Sequence, residues 1–187
     1  MRSDALARRK RIITAACEVF QTQPEPVPLE LIAERAQVGI ATLYRNFPDR
    51  AALLHACGAQ FFEQAIDLQH QILAEFDDNP DRAWWDYARG LVGMGLAHLV
   101  STFAPENLEV LPEDVKQLRA TAQKFGQQIM DKAHAHGQLA SPVAHNSFVL
   151  GLITVTRPPV KGILALEPNI TTWLVEVYLK GLKATAS

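Results

Sequence analysis

Residues 36–50 of the chain read AQVGIATLYRNFPDR, and this stretch decides how the rest of the sequence is interpreted. Apolar and small residues lead into TLYRN at positions 42–46, and Pro48-Asp49 then predicts the start of another helix. A helix that carries a hydroxyl, a phenol, a guanidinium and an amide is costly to bury, because each polar group then needs a partner away from water. The stretch therefore predicts a short helix whose polar side stays exposed.

The residues around this helix complete a helix-turn-helix pattern. Residues 29–36 predict one helix, residues 37–39 a tight turn, and residues 40–47 a second helix. Ala33 and Ala36 allow the two helices to approach closely, while Val38 and Leu43 fill the angle between them. In this motif the second helix enters the DNA major groove. The alternative is an ordinary helical hairpin whose polar face is simply solvated.

The same residues resemble the tetracycline-repressor (TetR) family of bacterial transcriptional regulators. The resemblance is carried by LELIAERAQVGIATLYRNFPDRAALLHAC at residues 29–57 and by RRKRIITAACEVF at residues 8–20. It is strong over about residues 8–57, and beyond them only the number and order of helices suit the family. The resemblance implies a DNA-binding domain at residues 1–48 and a helical ligand-binding and dimerisation domain at residues 49–187.

The resemblance also implies roles for nine side chains, eight in the first domain and Arg50 just after it. Ile40 and Ala41 would lie at base edges, where small or apolar groups meet thymine methyls. Arg45 would reach a phosphate or a guanine edge. The other side chains would contact phosphates, namely Thr42, Tyr44, Asn46 and Arg50, with Arg9 and Arg11 added from the first helix.

Two positions depart from the family's pattern. The family usually has Gly at the tight turn, where this chain has Gln37. If that residue takes a positive φ, Gln costs about 1 kcal/mol relative to Gly. The family also tends to cap the second helix with a hydroxyl residue, whereas Val27-Pro28 stands here. Both departures concern contacts from the second helix and leave the motif in place.

Composition excludes several classes of protein. Apolar residues make up 48% of the 187 residues and charged residues 20%, as in an ordinary globular protein. No apolar run approaches the roughly 20 residues that span a bilayer, so we expect no membrane segment, and no secretion signal begins the chain. Cys17 and Cys57 lie far apart within helical patterns. We therefore expect two reduced thiols in a cytoplasmic protein.

The net charge of −2 is unevenly distributed along the chain. Residues 1–50 contain eight Lys and Arg against six Asp and Glu, and the remaining residues contain ten against fourteen. A basic end on an acidic body is expected when that end touches phosphate. A solvated helix face would explain the same charges.

Helical periodicity continues to the C-terminus and predicts an all-α fold of about nine helices. Asp49 is placed to begin the fourth helix, and Asn79-Pro80 to begin the fifth. The fifth helix is apolar nearly all round from Trp84 to Val100, so we expect it to be central and buried. A long helix over about residues 112–136 and two apolar helices near the C-terminus follow.

A pocket in the body is suggested mainly by the family's habit of sensing small molecules. Gly90, Gly93 and Gly95 cluster in the fifth helix and would either permit close helix contact or leave room beside a cavity. Packing in the core is the plainer interpretation of the aromatic residues nearby. The predicted lining consists of Trp85, Met94, His98, Phe103 and Phe125.

The last two helices carry more apolar surface than one partner helix can cover. Packing onto the body is one explanation, and an isologous dimer face resembling the family's four-helix bundle is the one we favour. The residues predicted for this face are Phe148, Leu152, Val155, Trp173 and Val177.

Together these patterns predict a homodimeric transcriptional regulator that acts as a repressor and that a small-molecule effector releases from a palindromic operator. No nucleophile with its base, no phosphate-binding Gly loop and no metal-ligand cluster is present in the sequence, so neither enzyme activity nor a cofactor is predicted. The rival hypothesis is an all-α binding or catalytic protein whose N-terminal hairpin is only structural.

Overall fold

The computed structural model describes residues 2–22, 27–97, 110–157 and 165–183. Within these ranges the chain forms eight α-helices and no β-strand, which confirms the all-α prediction and gives one helix fewer than expected. The helices are α1 (Arg2–Thr22), α2 (Leu29–Arg35), α3 (Ile40–Asn46), α4 (Arg50–Glu75), α5 (Pro80–Gly93), α6 (Glu113–Ala135), α7 (His145–Thr156) and α8 (Ile170–Lys183).

Helices α1, α2 and α3 share a hydrophobic core with the first turns of α4, and we call this group the head core. These helices are short or only moderately apolar, so their stability comes from the buried stripe that each contributes. The principal buried side chains are Ile12, Ala16 and Phe20 of α1, Ile32 and Ala33 of α2, Leu43 with Phe47 at the end of α3, and Leu53 and Cys57 of α4.

The turn between α2 and α3 ends α2 with a Schellman motif. Gln37 takes the left-handed conformation, with a φ of 56°. The amide of Val38 donates to the carbonyl of Ala33 at 2.9 Å, and the amide of Gln37 donates to the carbonyl of Glu34 at 3.0 Å. The turn thus demands a positive φ at a residue that carries a Cβ, and this conformation is strained.

Helix α4 is the longest helix and contributes to both ends of the molecule. Asp49 caps it as predicted, because its Oδ1 accepts from the amide of Ala52 at 2.7 Å. Its 26 residues span about 39 Å at the usual helical rise. Leu53 lies in the head core near its start, and Ile72 lies in a second core near its end. One continuous helix therefore joins the two cores.

The second core, which we call the body core, is formed by the end of α4 and by α5 to α8. At its centre lies Phe148, whose ring centroid is 4.9 Å from that of Trp84, 5.9 Å from that of Tyr87 and 6.0 Å from that of Tyr178. The Tyr178 hydroxyl also donates to the Phe148 carbonyl at 3.1 Å. Helix α7 is thus held between α5 and α8 by stacked and tilted rings.

The prediction for the fifth helix is wrong in two respects. Helix α5 ends at Gly93, and the left-handed φ of 73° at Gly95 interrupts the helix there. The helix is also amphipathic, with Tyr87 in the body core and Arg89 exposed, so it is not buried all round. Its start is confirmed, since Asn79 Oδ1 accepts from the amide of Arg82 at 3.1 Å. Residues 98–100 of the predicted range lie outside the described residues.

Replacing Gln37 by glycine should raise the free energy of unfolding by about 1 kcal/mol, because glycine takes the left-handed conformation without a Cβ clash. Denaturant unfolding of the variant and the parent chain measures the difference.

The chain supplies a matched control at the end of α6. Gly137 has a φ of 74°, and the amide of Gln138 donates to the carbonyl of Ala133 at 2.8 Å, which repeats the motif with the residue that suits it. Gly137→Ala should lower the free energy of unfolding by about 1 kcal/mol. A Gln37→Gly variant no more stable than the parent would contradict the strain at this turn.

Candidate nucleic-acid interface

Helix α3 has one buried and one exposed side. Leu43 and, just after the helix, Phe47 anchor it in the head core, with 0% and 1% of their surface exposed. Tyr44 projects the other way and is 47% exposed although it is aromatic. The side chains predicted to read bases and bind phosphates occupy this exposed side and its half-buried margins, namely Ile40, Ala41, Thr42, Tyr44, Arg45 and Asn46.

Hydrogen bonds along α3 order the polar side chains. The Arg45 guanidinium donates through Nη2 to the Thr42 hydroxyl at 2.8 Å. The Asn46 side chain donates through Nδ2 to the Thr42 carbonyl at 2.8 Å. A polar surface that is ordered before binding loses less side-chain entropy when a ligand arrives. The guanidinium has further N–H groups with which to meet such a ligand.

Arg9 of α1 holds the end of α3 in place. Its guanidinium lies 4.2 Å from the centre of the Phe47 ring and donates to the Asn46 carbonyl at 3.0 Å. A cation over an aromatic face and a charged hydrogen bond to a helix C-terminus both stabilise this position. Arg9 therefore positions α3, a role that the sequence did not reveal because Asn46 lies 37 positions away. Arg11 is exposed on the same helix.

Arg50 of α4 fastens the segment that precedes α2. Its Nη1 donates to the Val27 carbonyl at 2.7 Å, and its guanidinium lies 5.0 Å from the centre of the Phe20 ring. Pro28 makes no side-chain capping bond to α2, as expected from the sequence. Arg50 thus fixes the chain just before α2, and its contact with phosphate stays a prediction.

The predicted pocket residues that the structure describes are found in packing contacts, two of them against the body core and one against α4. Trp85 is half-buried, and the guanidinium carbon of Arg89 lies 5.4 Å from the centre of its ring. Met94 packs against the body core. Phe125 of α6 meets the ring of His70 of α4, with 4.4 Å between the centroids. His98 and Phe103 lie outside the described residues. The positions of Trp85, Met94 and Phe125 assign no pocket to them, so the predicted lining remains a prediction.

Close helix contact, rather than an adjacent cavity, explains the first of the clustered glycines. A Cβ added to Gly90 would lie 2.6 Å from Cδ2 of Leu68, so its absence lets α5 approach α4. An open groove of about 430 Å³ does follow α6, but none of the predicted pocket residues lines it. Its lining consists of Ala120, Gln123, Lys124, Gln127, Gln128 and Asp131.

The sequence did not reveal a chain of polar side chains that crosses the body. Gln69 of α4, only 1% exposed, donates through Nε2 to the Tyr87 hydroxyl at 3.1 Å. A hydrogen bond of 2.7 Å joins that hydroxyl to Nε2 of His145, and the His145 amide donates to the Gln127 side chain at 2.9 Å. One feature of the sequence could have revealed it: Gln69 stands at a helical spacing from Ala65 and Ile72, on the buried stripe of α4.

Burial sets the chemistry of this polar chain. It lowers the pKa of His145 to about 4, so the ring is neutral at pH 7, and it raises the pKa of Tyr87. A Cβ on Gly126 would lie within 2.3 Å of the His145 ring, so the ring fits against α6 only because this residue is glycine. Within the described part of the chain, Gln69 Oε1 and His145 Nδ1 are buried without a hydrogen-bond partner.

The predicted dimer residues fall into two groups, and the prediction is wrong for the first. Phe148 and Leu152 are both 0% exposed, because they face α5 and form part of the body core. Trp173 and Val177 of α8 are 57% and 47% exposed, and Leu150 of α7, which was not predicted, is 61% exposed. Val155 is half-buried against the body core. The open apolar surface is therefore the opposite side of α7 together with one side of α8.

The described residues contain neither a metal-ligand cluster nor a membrane-spanning helix. No group of three or more His, Cys, Asp or Glu side chains among them is placed to hold a metal ion. His136 instead pairs with Asp77, with 3.1 Å between its Nε2 and the carboxylate, and Lys132 shares that carboxylate. None of the described helices is long and apolar enough to span a membrane.

Replacing Arg9 by methionine should lower the free energy of unfolding by about 1 kcal/mol, because the variant loses the charged hydrogen bond and the ring contact of an exposed side chain. Arg11→Met is the matched control and should change it by less than about 0.5 kcal/mol, as is usual for surface substitutions. Thermal or denaturant unfolding of the two variants makes the comparison. Equal losses would contradict a positioning role for Arg9.

Comparison with known proteins covers both parts of the chain. Residues 12–57 match the family model described as bacterial regulatory proteins, tetR family. Residues 79–184, more than half of the chain, match the model of the C-terminal domain of SbtR-like transcriptional regulators. A search of curated proteins found no match.

Solved structures share the fold over nearly the whole length. The TetR transcriptional regulator SCO0520 from Streptomyces coelicolor is 28% identical, with a TM-score of 0.56 over 95% of this chain and 99% of that one. The TetR transcription regulatory protein from Mycobacterium vanbaalenii is 23% identical, with a TM-score of 0.62 over 98% and 99%. A protein with unknown function from Rhodococcus sp. RHA1 is 20% identical, with a TM-score of 0.56 over 95% and 96%. The chain belongs to the TetR family and is a DNA-binding transcriptional regulator.

Proposed function

We propose that the protein is a cytoplasmic, homodimeric repressor that binds a palindromic operator and leaves it when a small molecule binds the body. The observation that carries the proposal is α3, whose polar side is exposed and ordered while Leu43 and Phe47 anchor its other side. The proposed division assigns DNA binding to residues 1–48 and effector binding and dimerisation to residues 49–187. The start of α4 packs into the head core, so this boundary precedes a helix that serves both parts.

In the proposed complex, α3 lies in the major groove and each subunit reads one half of the operator. Ile40 and Ala41 meet base edges, and Arg45 meets a guanine edge or a phosphate. The half-sites lie about one helical turn apart, roughly 34–36 Å, or somewhat more. The phosphate contacts are assigned to Thr42, Tyr44, Asn46 and Arg50 with Arg9 and Arg11, of which Arg9 and Arg50 also hold the head together.

The proposed dimer forms through the open apolar surface of α7 and α8. Leu150, Trp173 and Val177 expose large apolar side chains there, and a second copy would bury them. In an isologous dimer each of these side chains is used twice, once from each subunit. The two heads are then held at a fixed separation, which a palindromic operator requires.

The proposed effector acts through α4. It binds the body and prefers one orientation of α4, and operator affinity falls because the two heads no longer fit their half-sites. The bond from Gln69 of α4 to Tyr87 of α5 supports this route, since it ties α4 to the body. The unpartnered Gln69 Oε1 and His145 Nδ1 offer polar groups to an effector in the same region.

Arg45→Ala should weaken operator binding by about 5- to 150-fold, because a good side-chain contact to a base is worth about 1–3 kcal/mol. Binding sites are first selected from random or genomic DNA at two salt concentrations, and the affinity of each variant is then measured on the recovered sequence. Tyr44→Ala should weaken binding as well. Lys124→Ala, an exposed cation on α6, is the control and should leave binding unchanged.

The salt dependence separates the two roles open to Arg45. A phosphate contact would be lost uniformly across sequences and would reduce the salt slope by about one, whereas a guanine contact would be lost together with the preference at one base pair. Selection that recovers no sequence, or full affinity in the Arg45→Ala variant, would refute the proposed reading surface.

Val177→Asp should raise the dissociation constant of the dimer at least about tenfold. The carboxylate would lose its hydration in the apolar interface, so the monomer is favoured. Val110→Asp is the matched control, since Val110 is also an exposed valine, at 63%, and lies just before α6. Sedimentation at several concentrations measures the association, and circular dichroism checks that both variants stay helical. A dimeric Val177→Asp variant would exclude this surface as the interface.

A further inference from the structure

The two cysteines of the chain meet at the contact between α1 and α4 in the head. The Cys57 thiol lies over the Ile13 carbonyl, with 3.9 Å between Sγ and the oxygen, and Ile13 is one helical turn before Cys17. Cys57 is a fully buried member of the head core, and Cys17 packs against the same core. In the helical ladder of α1 the Ile13 carbonyl is also the acceptor for the Cys17 amide, so the Cys57 thiol lies against the turn that carries Cys17.

The surroundings of the two thiols differ. Cys17 is half-buried, whereas Cys57 has no exposed surface. The hydrogen bond with Cys57 lowers the pKa of Cys17, and the hydrogen bond with Cys17 together with burial raises the pKa of Cys57. Cys17 is thus the more accessible of the two thiols, and the buried Cys57 lies beside it in the head core. Oxidation-sensitive cysteines commonly have this arrangement, in which one thiol reacts and the other resolves.

We propose that Cys17 and Cys57 form a reversible disulfide within one subunit when the protein meets hydrogen peroxide, and that this modification weakens DNA binding. The DNA-binding half of the proposal rests on the proposed function, whereas the disulfide itself does not. The site is neither the reading surface of α3 nor the effector site proposed for the body.

The reaction is a two-electron oxidation of the thiol pair. The Cys17 thiolate attacks one oxygen of peroxide, the O–O bond breaks, and hydroxide leaves and takes up the thiol proton as water. The Cys57 sulfur then attacks the Cys17 sulfenic sulfur, and the S–O bond breaks with release of a second water that carries the Cys57 proton. Two thiols and one peroxide thus give one disulfide and two waters. A dithiol reductant reverses the oxidation by thiol–disulfide exchange.

The disulfide would alter α3 because α3 depends on both of the helices that it links. A disulfide fixes the two sulfurs about 2.05 Å apart, closer than two thiols can lie without a covalent bond, so its formation draws α1 and α4 toward each other at this point. Arg9 of α1 holds the end of α3, and Leu53 of α4 shares the head core with Leu43. A shift between α1 and α4 therefore displaces the reading surface. Coupling between sites in proteins is usually about 5- to 150-fold in affinity, and we expect a loss in that range.

The test compares the reduced full-length protein with protein treated with hydrogen peroxide. Intact mass should fall by about 2 Da per subunit, which is the loss of two hydrogen atoms, and dithiothreitol should restore it. Because the chain contains only two cysteines, this loss in a single subunit identifies the pair. Cys17→Ser and Cys57→Ser should each abolish it. If the protein does not tolerate replacement of the buried Cys57, the Cys17→Ser variant alone decides the result.

DNA binding gives the second readout on the same samples. Oxidised protein should bind the selected operator about 5- to 150-fold more weakly than reduced protein, and the Cys17→Ser variant should lose this sensitivity. An unchanged mass, oxygen addition without loss of hydrogen, or disulfides only between subunits would overturn the thiol pair as a site. Loss of about 2 Da with unchanged affinity would overturn its effect on DNA. Reduced protein that selects no DNA would overturn the proposed function, and the mass result would still decide the disulfide.

Discussion

Helix α4 contributes side chains to both hydrophobic cores, and this sharing fixes the head and the body to one continuous helix. Leu53 and Cys57 near its start are buried with α1, α2 and α3, whereas Gln69 and Ile72 near its end are buried with the body helices. A helix held by every backbone hydrogen bond along its length does not bend easily between these points. In the proposed mechanism a tilt of its body end moves the head, which is the coupling that control by an effector requires.

The head is small, and its stability depends on a few contacts between distant parts of the chain. Arg9 binds the end of α3, and Arg50 binds the segment before α2, so two guanidinium groups close the helix-turn-helix unit from both sides. The turn at Gln37 keeps α2 and α3 at the required angle despite its strained φ. Because these contacts fix the backbone of α3, the side chains on its exposed side are positioned by the fold, and the proposed reading surface needs little reordering to meet DNA.

The body combines tight aromatic packing with one buried polar chain. Phe148 is enclosed by three aromatic rings, and the neighbouring Tyr87 turns its hydroxyl toward His145 and Gln69. Buried polar groups stabilise a fold only when their hydrogen bonds are satisfied. Gln69 Oε1 and His145 Nδ1 are not, so this part of the body is sensitive to any group that binds near them. The same helices leave Leu150 and Val177 exposed, and contact between such an apolar surface and water is unfavourable.

The sequence by itself determined what depends on neighbours within about one helical turn. The helix-turn-helix unit, the caps at Asp49 and Asn79 and the exposed side of α3 are all local, because capping bonds and periodicity involve residues three or four positions apart. The tertiary structure alone decided which side of an apolar helix is inside, placing Phe148 in the core and Leu150 outside. It also decided the partners of Arg9, Arg50 and His145, which lie 37, 23 and 58 positions away. Periodicity shows that a helix has apolar sides, but only the arrangement of all its neighbours determines which of them is covered.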